Sequence, residues 1–231
     1  MASRKTEQRK FNKEEKQKQA LRRQRMADWG FKAALAVLIP LVLIVLWQGW
    51  SSGTAALPPE EVGAADHVMG NAAAGLTLTV YADFQCPACK AEEQIIARAW
   101  PRIANQVQLV FRHYPLDGHR HAFLAARYAE AAARQGKFWQ LHDQLFATQE
   151  LWSNIEDAQP LFDAYAQEAG LDLAQLKADI DLPEVRGKIL SDQRGGIRAG
   201  VSATPSLFLN GRLLRNNPGS VSELVALIEG A

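Results

Sequence analysis

Two cysteines, Cys86 and Cys89, are the only ones in 231 residues, and only Pro87 and Ala88 separate them. On a first helical turn that spacing puts both sulfurs on one face, within reach of a disulfide. An alternating apolar run with Leu76, Leu78 and Val80 leads in, and the helix formers Lys90, Ala91, Glu92, Glu93 and Gln94 follow. The pattern predicts a strand, a short turn and a helix, with the pair at the helix start. Cys86 falls near the N-cap and Pro87 near the first helical position, where its missing N–H costs nothing. Unpaired N–H groups and the positive end of the helix dipole then favour a thiolate on Cys86, lowering its pKa below the free-thiol value of about 8.5. A low-pKa thiolate beside a resolving thiol is a dithiol–disulfide exchange site. Two other uses compete. A structural bridge closing so small a loop constrains little of the unfolded chain. A zinc site lacks a second cysteine pair, and the five histidines show no matching spacing.

The elements that must position this pair are legible further along the chain. Residues 76–82 and 107–113 alternate as strands, and residues 87–103 between them read as a helix containing Ile95, Ile96 and Trp100. A helical tract follows, punctuated by Gly136, Gly170 and Gly195-Gly196. Helices are expected at about 121–135 and 137–148. A third spans 155–169, delayed or kinked by Pro160; a fourth is N-capped by Asp172 and ends at Asp179; a fifth opens at Pro183-Glu184 and runs towards Ala199. Pro205 to Leu209 reads as a strand, Asn210-Gly211 as a type I′ turn and Leu213-Leu214 as the return strand. Ser220 caps a last amphipathic helix from Val221 to Ile228. The order β-α-β, helical block, β-β-α is a thioredoxin-type α/β layout with a helical insertion.

Charge is divided sharply. Residues 1–32 carry 11 Lys/Arg against 4 Asp/Glu, net +7, which leaves −6 for the rest of a chain of net charge +1. From Phe31 to Trp50 the sequence is almost wholly apolar, and no Lys or Arg appears again until Lys90. Such a stretch is long enough for a bilayer core of about 30 Å, with Trp29, Trp47 and Trp50 where interfacial aromatics belong. The expected organisation is a basic cytoplasmic tail (1–30), a transmembrane anchor (31–50), a flexible Gly/Ala/Ser/Pro linker (51–75) and a thioredoxin-like domain (76–231) whose insertion covers about 119–200. The positive-inside rule puts the N-terminus in the cytoplasm and the domain outside, anchored in the cell membrane by a single pass. A cleaved signal peptide ending near Gly53-Thr54-Ala55 is the alternative. Either way the cysteines reach a compartment where disulfides persist. The basic arm holds one aromatic, Phe11, and no binding motif, and the rest is acidic; no nucleic-acid partner is expected.

Several segments together resemble the DsbA-like thiol:disulfide oxidoreductases. They are Asp66-His67-Val68-x-Gly70, Tyr81-Ala82-Asp83-Phe84-Gln85 before the CxxC, Phe111-Arg112-His113-Tyr114-Pro115-Leu116, Gln135-Gly136-Lys137-Phe138-Trp139, and Val201-Ser202-Ala203-Thr204-Pro205-Ser206. The likeness covers roughly residues 66–231. It implies a thioredoxin-like fold with an inserted helical subdomain, Cys86 as exposed nucleophile, Cys89 as resolving thiol, and Thr204-Pro205 as a loop with a cis proline facing the site. Pro87 and Ala88 would form an apolar rim, so that Pro87, Ala88, Thr204 and Pro205 meet the client. Two departures bear on redox poise. Strongly oxidising members often carry Pro-His between the cysteines, where this chain has Pro-Ala. Many thioredoxin-fold enzymes bury an acid six residues before the first cysteine, where this chain has Val80. Asp83 lies nearer and either assists or merely ends the strand. His119-x-His121 precedes a helix, where capping or surface roles are favoured over a metal; no metal and no organic cofactor are expected. The aromatic series Phe123 to Phe146 is expected to pack the insertion on the core.

The function read from these residues is an extracytoplasmic exchange of disulfides with unfolded or reduced protein substrates, as an oxidase served by a membrane redox partner. A reductase or isomerase of the same fold, or a redox-passive chaperone or scaffold with a structural bridge, are the alternatives.

Overall fold

The computed structural model describes Met26, residues 36–45 and residues 57–231. Contacts divide the chain after Ala55 into two units. Of the first unit, residues 36–45 form an apolar helical run, about 15 Å long at helical rise. The rest of the expected 31–50 anchor, the 1–30 tail apart from Met26, and residues 51–56 lie outside the described residues. No helix among the described residues is long and apolar enough to cross a membrane.

The second unit is built on five strands: β1 (His67–Gly70), β2 (Thr77–Ala82), β3 (Gln108–His113), β4 (Ser206–Leu209) and β5 (Arg212–Leu213), in spatial order β1-β3-β2-β4-β5. β2 and β3 run parallel, and every other pairing is antiparallel. Parallel neighbours need a crossover, supplied by α1 (Pro87–Ile103). Between β3 and β4 come six helices: α2 (Ala122–Ala133), α3 (Phe138–Ala147), α4 (Gln149–Trp152), α5 (Gln159–Glu168), α6 (Leu173–Ile180) and α7 (Pro183–Arg198). α8 (Val221–Glu229) closes the chain and packs on α1.

The central strands are buried on both faces, which is why β3 (Gln108–His113) reads as a nearly continuous buried run rather than an alternating one. α1 buries Cys89, Glu92, Ile96, Ala99 and Ile103, one stripe at three- and four-residue spacing. Burying a side chain the size of Ile96 or Ile103 contributes about 1.5–3 kcal/mol. Asp172 and Ser220 cap α6 and α8 as their types predict, accepting from the N–H groups of Gln175 and Glu223. Asn210 and Gly211 both have positive φ (48° and 76°), the pair of values a type I′ turn needs.

The expected elements are refined in four places. β1 falls inside the stretch 51–75 read as linker; it pairs with β3, and Arg112 on β3 fixes the chain before it by a bidentate contact to Asp66 (3.0 and 2.8 Å) and by donating to the Glu60 carbonyl (2.9 Å). Burial works to raise the Asp66 pKa, but the Arg112 guanidinium outweighs it and holds the carboxyl below its ordinary value. The third helix begins at Gln159, delayed as Pro160 in its first turn suggested, and a short helix, α4, precedes it. Gly195-Gly196 do not interrupt a helix but lie within α7, where a Cβ on Gly196 would stand 2.8 Å from the Tyr114 ring and 3.0 Å from Tyr81. They let α7 approach the sheet.

Candidate active site

β2 ends at Ala82, and after four intervening residues the chain enters α1 at Pro87. Cys86 is the N-cap residue in extended backbone (φ −75°, ψ 122°), with Pro87 in the first turn. Both cysteines are free thiols. Cys86 keeps 7% of its surface and Cys89 only 2%, whereas Pro87 and Ala88 are exposed. Cys89 is thus almost wholly closed to solvent.

The sulfurs differ electrostatically. Cys86 falls from an ordinary 9.0 to about 5, because the Cys89 thiol donates to it, against the opposing cost of its own burial; Thr204 and the backbone N–H groups of Cys89 and Ala88 add to the effect. Those N–H groups are the unsatisfied donors of a helix start. Cys89 is pushed strongly upward by burial first and by Cys86 second, so it stays a thiol, and the Asp83 N–H points at its sulfur (3.4 Å). Cys86 Sγ lies 3.5 Å from the Thr204 carbonyl oxygen. The Thr204-Pro205 bond is cis, and Asn217 Nδ2 donates to the Pro205 carbonyl (2.9 Å). The Thr204 side chain is itself buried.

The inserted helices hold the loop before the pair. Gln149, at the start of α4, is buried and donates from Nε2 to the carbonyls of Phe84 (2.7 Å) and Cys86 (3.0 Å). Gln85 bridges in the other direction, accepting from the His121 N–H (2.6 Å) and donating to the Ser153 carbonyl (2.7 Å). The Asp83 carboxylate accepts from the N–H groups of Gln85 (2.7 Å) and Leu116 (2.9 Å) and lies 2.7 Å from His119 Nδ1. Its oxygens are thus occupied by loop contacts, which is the strand-end role rather than the assisting one.

Val80 is buried in β2 as its type requires. The buried acid near the resolving thiol is instead Glu92, one turn beyond Cys89 on the same stripe of α1. It is 6% exposed, its Oε1 has no partner, and burial, reinforced by Glu93, pushes its pKa up to about 7. The sequence held a signal for it: a glutamate three residues from Cys89 on a face otherwise apolar. Gln149 gave none, since only the tertiary fold brings α4 to the loop. His119 and His121 do not converge: His121 Nε2 donates to the Ile155 carbonyl (2.8 Å) while His119 serves Asp83. A cleft of about 550 Å³ beside α1 and α3 is lined by Met69, Ala97, Trp100, Trp139 and Phe146, with Lys90 at its edge. Of the aromatic series, Trp139 therefore faces this cleft, Phe146 meets both the cleft and the core, and Phe138 is buried in the core.

A family profile described as thioredoxin matches residues 63–230. The chain belongs to the thioredoxin family. Within it the fold is that of the DsbA-like thiol–disulfide oxidoreductases. Oxidised BdbD of Bacillus subtilis superposes with a TM-score of 0.66 at 21% identity, over 76% of this chain and 97% of that one. Alpha-DsbA1 of Wolbachia pipientis gives 0.64 at 19%, over 73% and 92%. Among curated proteins, a Na(+)/H(+) antiporter, NhaA 1 of Mycolicibacterium gilvum, is 34% identical over 186 residues, which is 74% of this chain and 29% of the antiporter. The chain thus spans less than a third of that relative's length. In this thioredoxin-family chain the DsbA-like features are the N-cap cysteine, its buried partner and the Thr204-Pro205 loop beside them.

Proposed function

We propose that this chain is an extracytoplasmic thiol:disulfide oxidase acting on reduced, unfolded proteins. The observation that carries this reading is the asymmetry of the pair: Cys86 with a pKa of about 5 above a Cys89 that burial keeps protonated. A thiolate so stabilised is a good leaving group, and it favours the reduced form of the pair, which makes the disulfide form oxidising.

The reaction balances on the two sulfurs. A client thiolate attacks Cys86 Sγ of the closed pair; the Cys86–Cys89 bond breaks, and Cys89 leaves and takes a proton. A second client thiolate attacks the client sulfur of the mixed disulfide, and Cys86 leaves as a thiolate. The client gains one disulfide and the pair gains two electrons, so a membrane redox partner must accept them for another turn. Thr204 and Pro205, with the exposed Pro87 and Ala88, are the surface an extended client meets; backbone groups of such a loop suit a segment of any sequence. With no His between the cysteines, the Cys89 thiol, Thr204 and two helix N–H groups stabilise the thiolate instead.

The placement outside the cytoplasm, by an anchor at 31–50, is supported by the distribution of Lys and Arg. Mixing the oxidised chain with a reduced, unfolded disulfide protein tests the reading: client thiols should disappear at two per chain. Offered the oxidised client instead, Cys89→Ser should accumulate chain–client mixed disulfides, its Cys86 thiolate opening a client disulfide and releasing one client thiolate, and Cys86→Ser almost none. Equal trapping by both variants, or no loss of client thiols, would overturn it.

A further inference from the structure

Away from the cysteines, three ligand-type side chains converge from three separate elements. His67 comes from β1, His113 ends β3, and Glu130 lies on α2 in the insertion. His67 Nε2 is 2.6 Å and His113 Nε2 2.7 Å from the same oxygen, Glu130 Oε1, and the three ligand atoms all lie within 4.8 Å of one another. His113 is 1% and Glu130 7% exposed. The cluster is not sealed: His67 and Glu130 line a cleft of about 450 Å³, together with Asp66, Arg134, Glu184 and Lys188.

We propose that His67, His113 and Glu130 form a binding site for a divalent transition-metal ion of the zinc class, whose fourth position faces this cleft. Two imidazole nitrogens and a carboxylate oxygen are a zinc donor set, with metal–ligand distances of about 2.0–2.2 Å and tetrahedral geometry. Donors around such an ion stand roughly 3.3–3.5 Å apart, so the carboxylate need withdraw by under about 1 Å to admit it. Hydrogen bonding alone crowds two imidazoles onto one oxygen and leaves His113 Nδ1 buried with no partner. The two cationic side chains on the cleft wall are engaged elsewhere: Lys188 with Asp192 (2.6 Å) and Arg134 with Asp179 (3.2 Å). An ion here would tie the edge strand and the sheet to the inserted helices.

The test uses the full-length chain in detergent, stripped with chelator and with Cys86–Cys89 closed by oxidation so that the thiols cannot bind metal. Titration with zinc chloride, followed by calorimetry and by the visible bands of cobalt as a substitute, should give one site per chain with no sulfur-to-metal absorption. His67 is part-exposed on an edge strand, so His67→Ala should fold; it should weaken zinc binding by more than about tenfold and abolish the zinc-dependent rise in melting temperature. Glu130→Gln keeps the side-chain shape and should do the same. Asp143→Ala, in the separate Glu93, His142 and Asp143 group, should leave binding unchanged. Absence of zinc binding by the oxidised chain, or binding by His67→Ala and Glu130→Gln equal to that of the parent, would overturn the proposal.

Discussion

Closing or opening the Cys86–Cys89 bond changes which groups titrate, and this gives a stability difference that can be worked from the site. In the oxidised chain neither sulfur titrates. In the reduced chain Cys86 has a folded pKa of about 5 against an ordinary 9.0, while Cys89 remains protonated in the folded chain. The folded value lies below the unfolded one. The thiolate's contribution is therefore complete above the unfolded value and is lost as the pH falls through 5. At pH 7, two units above the folded value, it amounts to about 2.7 kcal/mol, reduced to about 2 kcal/mol by solvent screening at a sulfur near the surface. The same quantity makes the disulfide about 40 mV more oxidising than an unperturbed pair, at roughly 30 mV per 1.4 kcal/mol. Urea unfolding of both forms between pH 4 and 8 measures it. The stability of the reduced chain relative to the oxidised one should rise by about 2 kcal/mol from pH 4 to 7, and thiolate absorbance at 240 nm should titrate with a midpoint near 5. A flat difference over that range, or a midpoint at or above about 8.5, would show that Cys86 carries no stabilised thiolate.

Other outcomes follow from neighbouring residues. Glu92 has a folded pKa of about 7 against an ordinary 4.5, so its burial costs stability as the pH rises from 4.5 through 7. Oxidised Glu92→Gln should match the parent at pH 4.5 and exceed it by about 2 kcal/mol at pH 8, after screening; a pH-independent gap in thermal unfolding would contradict this. Gln149→Ala removes two donors to the loop carbonyls of Phe84 and Cys86 and should cost about 1–3 kcal/mol by urea unfolding, with faster alkylation of Cys86; unchanged alkylation would show that the clamp does not hold the site. Gly196→Ala should destabilise by about 1–3 kcal/mol by forcing α7 off Tyr81 and Tyr114, and a neutral effect in thermal unfolding would mean the helix shifts freely.

The sequence by itself determined the local chemistry and most of the elements. A CxxC between an alternating run and helix formers can only place its first sulfur at a helix start, where unpaired N–H groups lower its pKa. Asp172 and Ser220 as caps and Asn210-Gly211 as a turn are short-range rules, obeyed because nothing in the tertiary structure opposes them. What tertiary structure decided are the long-range pairings. β1 looked like linker because four residues carry no usable period, and it became a strand only by pairing with β3. Gly195-Gly196 weaken the expected fifth helix by propensity, which cannot see the tyrosine rings that α7 must approach. The Gln149 clamp, the carbonyl of Thr204 beside Cys86, and the meeting of His67, His113 and Glu130 join residues 17 to 118 positions apart. Spacing rules act over a few residues, so such contacts are settled only when burial of the core fixes where each element lies.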